Sequence, residues 1–149
     1  MTNIRHVDHL AIVVEDLDRA LAFWRDALGL TLEKTETLPE QRAEIAFLPL
    51  GGSQIELVRP TDSESGSARF LAKRGPGMHH VSFEVTDLPA MLRQLKARGV
   101  RLINEQPVPG AGGSRVAFVH PESTGGVLVE LCQAAEEVHP TPPRPTPKS

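Results

Sequence analysis

Apolar positions along this chain follow two different periods, and the change from one to the other occurs twice. In DHLAIVVEDL, from Asp8, and HHVSFEVTDL, from His79, apolar residues cluster or alternate as in strands. After Asp16 and Asp87 they move to helical spacing, with Leu17, Leu21, Trp24 and Leu28 in the first copy and Leu88, Leu92 and Leu95 in the second. The two segments align at an offset of 71 (80 − 9), which places His9 on His80, Asp16 on Asp87 and Leu17 on Leu88. Asp16 and Asp87 suit the helix N-cap, where a carboxylate accepts the free N–H groups of the first turn. Gly29 and Gly99 suit the left-handed residue that ends each helix.

Strand-like segments follow each helix: Thr31 to Thr37, Ala43 to Leu48 and Gln54 to Arg59 in the first copy, and Arg101 to Glu105, Arg115 to Val119 and Val127 to Cys132 in the second. The expected fold class is therefore α+β, built from two βαβββ modules at about residues 6–59 and 78–133 within a single domain over residues 1–133. Pro60 to Gly77 reads as a polar linker in which Phe70 and Leu71 anchor a short helix. Residues 134–149, rich in proline, read as a disordered tail.

Composition narrows the functional classes. The chain has 149 residues, 40% of them hydrophobic, which suffices for one ordinary core. The net charge of −3 is interspersed, without a basic run, which argues against nucleic acid or an anionic membrane as partner and favours a small molecule. No segment approaches a membrane span and Met1 to Asp8 carry no apolar signal stretch, so a cytoplasmic location is expected. Cys132, the single cysteine, excludes an internal disulfide.

Strand alternation puts His80, Ser82 and Glu84 on one face, with Val81, Phe83 and Val85 on the helix-packing face. By the same count Glu56 and Glu130 face away from the helices, each within an apolar strand. Burying an unpartnered carboxylate costs several kcal/mol, so a cation is expected beside them. Each copy supplies one first-strand histidine and one last-strand glutamate, making His9, Glu56, His80 and Glu130 a candidate mixed N/O set for Co, Mn, Ni, Fe or Zn. His6, His120 and His139 are assigned structural or solvent roles, as is His79, which alternation places opposite His80.

These features resemble the vicinal-oxygen-chelate, or glyoxalase/bleomycin-resistance-like, superfamily, and within it the methylmalonyl-CoA epimerases. The most distinctive stretch is PGAGGSRVAFVHPESTGGVLVELCQ, from Pro109 to Gln133; GMHHVSFEV and RAEIAFLP match two further segments. The resemblance implies a curved mixed sheet around a metal site, with His9, Glu56, His80 and Glu130 as ligands and Glu44 with Glu130 as the acid/base pair. It further implies one divalent metal per chain, Co2+ foremost with Mn2+, Ni2+ or Zn2+ as alternatives, an acyl-CoA thioester as substrate, and a homodimer. The implied reaction is interconversion of (2R)- and (2S)-methylmalonyl-CoA by two-carboxylate proton transfer through a metal-stabilised enolate. Two other functions share the fold: a glyoxalase-type lyase and a metal-free, drug-resistance-type binding protein. The sequence departs from the family pattern at Glu122, where HPK becomes HPE, and at Ser114, after the double glycine.

Overall fold

In the first half of the chain, strand and helix alternate as the hydrophobic pattern predicts: β1 (Ile4–Val13), α1 (Leu17–Leu21), β2 (Lys34–Leu38), β3 (Ala43–Leu50) and β4 (Ser53–Pro60). After α2 (Gly66–Arg74) the second half repeats the plan with β5 (Gly77–Val85), α3 (Leu88–Ala97), β6 (Val108–Pro109), β7 (Arg115–Val119) and β8 (Val129–Gln133). These elements belong to a computed structural model that describes residues 3–135. Of the expected Pro-rich tail, only residues 134 and 135 fall inside that range.

Both modules share one eight-stranded mixed sheet in the order β2-β3-β4-β1-β5-β8-β7-β6. Within each module the first and last strands run parallel, β1 with β4 and β5 with β8. An antiparallel pairing of β1 with β5 joins the modules at the centre. The sheet curls into a half-barrel: Ile45 and Phe47 of β3 line the same cavity as Val116 and Phe118 of β7, although these strands lie near opposite ends of the sheet.

The outer face carries the helices. Leu17 and Leu21 pack on Ala46, Leu48, Ile55 and Leu57, while Leu88, Met91 and Leu92 pack on Val85, Ala117, Val119 and Leu131. Leu48 and Leu57 lie fully out of water, and such burial stabilises by about 1.5–3 kcal/mol per side chain. On the inner face Ala11, Val13, Ile45, Phe47 and Val58 form a second apolar layer, covered by Phe70 and Leu71 of α2. The Asp16 carboxylate accepts from the Arg19 N–H at 3.1 Å and Asp87 from Ala90 at 3.0 Å, the two expected caps.

Two elements differ from the sequence expectation. After Leu21 the first helix widens into π-helical Ala22–Ala27, with the Leu28 N–H donating to Phe23 O at 2.8 Å. The extra residue per turn rotates Leu28 out of the apolar stripe, leaving it 54% exposed. Arg101 to Glu105, expected as a strand, makes only a bridge from Leu102 to Val119. There the Asn104 side chain accepts the Phe118 N–H at 2.9 Å, taking a donor that a continuing ladder would need. The strand on that edge of β7 is instead β6. Among the described residues no helix is long and apolar enough to cross a membrane.

Candidate active site

His9 and Glu56 reach the inner face from the parallel pair β1 and β4, where Glu56 stands opposite Ala11, two residues beyond His9. His80 and Glu130 repeat this arrangement on β5 and β8, where Glu130 stands opposite Ser82, two residues beyond His80. The central β1–β5 pairing then sets His9 opposite Ser82 and Ala11 opposite His80, so the two halves meet about a local pseudo-twofold axis. Ala11 and Ser82, at its centre, are both fully buried.

The four predicted residues converge around the His9 ring, distributed over its two nitrogens. On one side His9 Nε2 lies 3.1 Å from His80 Nε2 and 3.3 Å from Glu130 Oε1, with His80 Nε2 3.7 Å from Glu130 Oε2. On the other side His9 Nδ1 meets Glu56 Oε2 at 2.9 Å and Asp8 Oδ2 at 2.7 Å. His9, Glu56 and Glu130 are buried, and His80 is nearly so. The group forms the floor of a cavity of about 760 Å³ walled by Ile45, Phe47, Val58, Val116 and Phe118.

Burial works against a charged His9, but hydrogen bonds to Asp8 and Glu56 and the fields of Glu56 and Glu130 outweigh it and raise its pKa to about 10. Burial also pushes the Glu130 carboxyl up to about 7, against the opposing pull of His9. His80 is held well below the ordinary imidazole value, first by burial and then by the charges of His9 and His79. Its approach to Glu130 is therefore not an ion pair.

These residues fit a divalent cation. Three carboxylates, Asp8, Glu56 and Glu130, meet two imidazoles, and among the described residues no lysine or arginine pairs with them. Metal–ligand bonds of about 2.1 Å place neighbouring ligand atoms roughly 3.0–3.4 Å apart in octahedral or tetrahedral geometry, close to the spacing of His9 Nε2, His80 Nε2 and a Glu130 oxygen. The Ser82 hydroxyl is buried beneath them, beside Glu130.

Glu44, expected with Glu130 as the acid/base pair, is not brought to the other four residues. It lies on the outer-face parity of β3, with Ala46 and Leu48 beneath α1, and its carboxylate pairs with Arg59 at 3.3 Å. Its neighbours Ala43 and Ile45 border the cavity; Glu44 does not. Glu44→Gln is accordingly expected to keep turnover within about threefold of the parent. Its half-exposed ion pair is worth only about 0–1 kcal/mol, so stability should be nearly unchanged. A steady-state rate lowered a hundredfold or more would put Glu44 back into the chemistry.

His79, expected on the face opposite His80, is a correction, since its ring borders the cavity and meets His80 Nδ1 to Nδ1 at 2.8 Å. Neither it nor Asp8 is found by strand alternation, which points both away from the site. The one sequence signal for them is the repeat itself, which aligns Asp8 with His79 (79 − 8 = 71). At the two departures from the family pattern, Glu122 forms a surface ion pair with Arg101 at 2.7 Å, and the Ser114 hydroxyl donates to Ala111 O at 2.7 Å beside the cavity.

A curled sheet of two βαβββ modules around paired histidines and glutamates defines a member of the Glyoxalase/Bleomycin resistance protein/Dioxygenase superfamily, whose family model matches residues 8–118. Within that superfamily the chain belongs to the methylmalonyl-CoA epimerase family of isomerases. It is 40% identical over 133 residues to the mitochondrial methylmalonyl-CoA epimerase of Bos taurus, an alignment covering 89% of this chain and 76% of the bovine protein. The crystal structure of methylmalonyl-CoA epimerase from Mycobacterium tuberculosis superposes with a TM-score of 0.88 at 39% identity, covering 93% of each chain. A methylmalonyl-CoA epimerase in complex with methylmalonyl-CoA and NH4+ superposes at 0.85 with 35% identity, covering 89% of this chain and 96% of the other.

Proposed function

We propose that this protein interconverts the (2R) and (2S) epimers of methylmalonyl-CoA in a metal-dependent reaction. The observation that carries the reading is the buried His9, His80 and Glu130 cluster at the floor of a cavity large enough for an acyl-thioester head, in a chain whose relatives bear that activity. A divalent ion held by His9, His80 and Glu130, with Glu56 against His9, supplies Lewis-acid stabilisation of the charge that develops on the thioester oxygen.

The chain's own groups supply the rest. Glu130 presents a carboxylate oxygen at the cavity floor and can take and return a carbon-bound proton there; burial alone favours its protonated form, and a bound cation would favour the carboxylate. Its two oxygens allow it to act as ligand and base together. Ile45, Phe47, Val116 and Phe118 exclude water around the reacting carbon and strengthen every polar interaction beneath it. After Glu130 removes the α-proton, inversion requires proton delivery to the opposite face of the planar carbon by a second group on the mouth side of the cavity, which Glu44 does not border.

The direct test is one epimer of methylmalonyl-CoA in deuterated water with Co2+- or Mn2+-loaded protein, followed by NMR at the α-carbon. Exchange of the α-proton with inversion, absent from a metal-free control, is expected. No exchange by protein with bound metal would overturn the assignment.

A further inference from the structure

Each site histidine is preceded by a residue that regular strand geometry would send to the far side of the sheet. The β1–β5 ladder breaks its register at both places. It steps from Val7 opposite Phe83 to His9 opposite Ser82, leaving Asp8 without a partner. It then steps from Ala11 opposite His80 to Ile12 opposite Met78, leaving His79 without one. A bulge of this kind re-aims the extra side chain, and these two stand at the repeat offset of 71 (79 − 8). The result is the same in both halves: Asp8 Oδ2 lies 2.7 Å from His9 Nδ1, and His79 Nδ1 lies 2.8 Å from His80 Nδ1. With both Nδ1 atoms engaged, the Nε2 atoms of His9 and His80 face each other at 3.1 Å, beside Glu130.

We propose that Asp8 and His79 are positioning residues of the metal centre, delivered by paired β-bulges, which hold Nδ1 of His9 and of His80 and so present Nε2 of each ring to the ion. The inference rests on the metal reading of the proposed function. In each half Nδ1–H donates outward, to a carboxylate oxygen of Asp8 in the first and to the Nδ1 lone pair of His79 in the second. The His79 ring is itself braced edge-on against Phe70 of α2, with ring centroids 5.1 Å apart. Partners of this type fix the tautomer of a ligating histidine, and their loss costs about 10–100-fold in metal affinity. The two halves are unequal. His9 has Glu56 as a second acceptor on Nδ1, whereas His80 has only His79 among the described contacts. Loss of His79 should therefore weaken binding at least as much as loss of Asp8.

The test is Co2+ binding to the full-length protein, by chelator competition and by the visible d–d spectrum, without any CoA ester. Asp8→Ala and His79→Ala are expected to weaken Co2+ binding about 10–100-fold and to shift the spectrum. Asp8→Asn and His79→Asn keep an acceptor oxygen near Nδ1 and should restore most of the affinity, which a role in packing alone would not require. Parental affinity and spectrum in both alanine variants would overturn the positioning role while leaving the metal centre standing. A parent protein that binds no Co2+ would overturn both.

Discussion

Glu130→Gln is expected to lower turnover by about 10²–10⁴-fold, the range associated with a positioned acid or base, while leaving a folded protein. Glutamine has the shape of glutamate and carries no charge, so the buried position keeps its packing among Ser82, His9 and His80. What is lost is the carboxylate itself, since an amide cannot take the α-proton. The measurement is α-proton exchange from both epimers, beside a far-ultraviolet spectrum for the fold. If saturating metal restored the rate, Glu130 would be a ligand alone; if the rate stayed within threefold of the parent, it would be neither.

Chelation should lower turnover at least as far and destabilise the fold with it. Asp8, Glu56 and Glu130 approach one another around His9, and without a cation their mutual repulsion is offset by protons alone. An ion that binds the native state and not the unfolded chain adds about 2.7 kcal/mol at a concentration 100 times its Kd. For a chain of this size that corresponds to a rise in melting midpoint on the order of 10 °C. Adding Co2+, Mn2+, Ni2+ and Zn2+ separately to stripped protein, and recording midpoint and rate for each, also ranks the metals. A stripped protein with full turnover and no metal-induced shift would remove the ion from both structure and mechanism.

The alternation of DHLAIVVEDL and HHVSFEVTDL, the aspartate caps and the offset of 71 are local or repeated signals, and they determined by themselves the two modules, their helices and the facing of His9, Glu56, His80 and Glu130. The face of Glu44 was equally legible, for the same alternation that sets Glu56 inward sets Glu44 with Ala46 and Leu48. The family likeness pointed to it; strand geometry did not.

Three features were decided only by tertiary structure. The bulges at Asp8 and His79 arise from register between β1 and β5, strands 71 residues apart, and no local period records which residue a ladder skips. The failure of Arg101 to Glu105 to form a strand depends on the Asn104 side chain taking the Phe118 N–H, a contact made only once β7 is in place. The division of the site over the two nitrogens of His9 follows from the order β4-β1-β5-β8, which sets Glu56 on one side of the β1 histidine and His80 with Glu130 on the other. Period and capping are properties of neighbours along the chain, and the sequence therefore settles them. Register, bulge position and ring orientation are settled by competition among strands for the same donors and the same buried space, which begins only when the sheet closes.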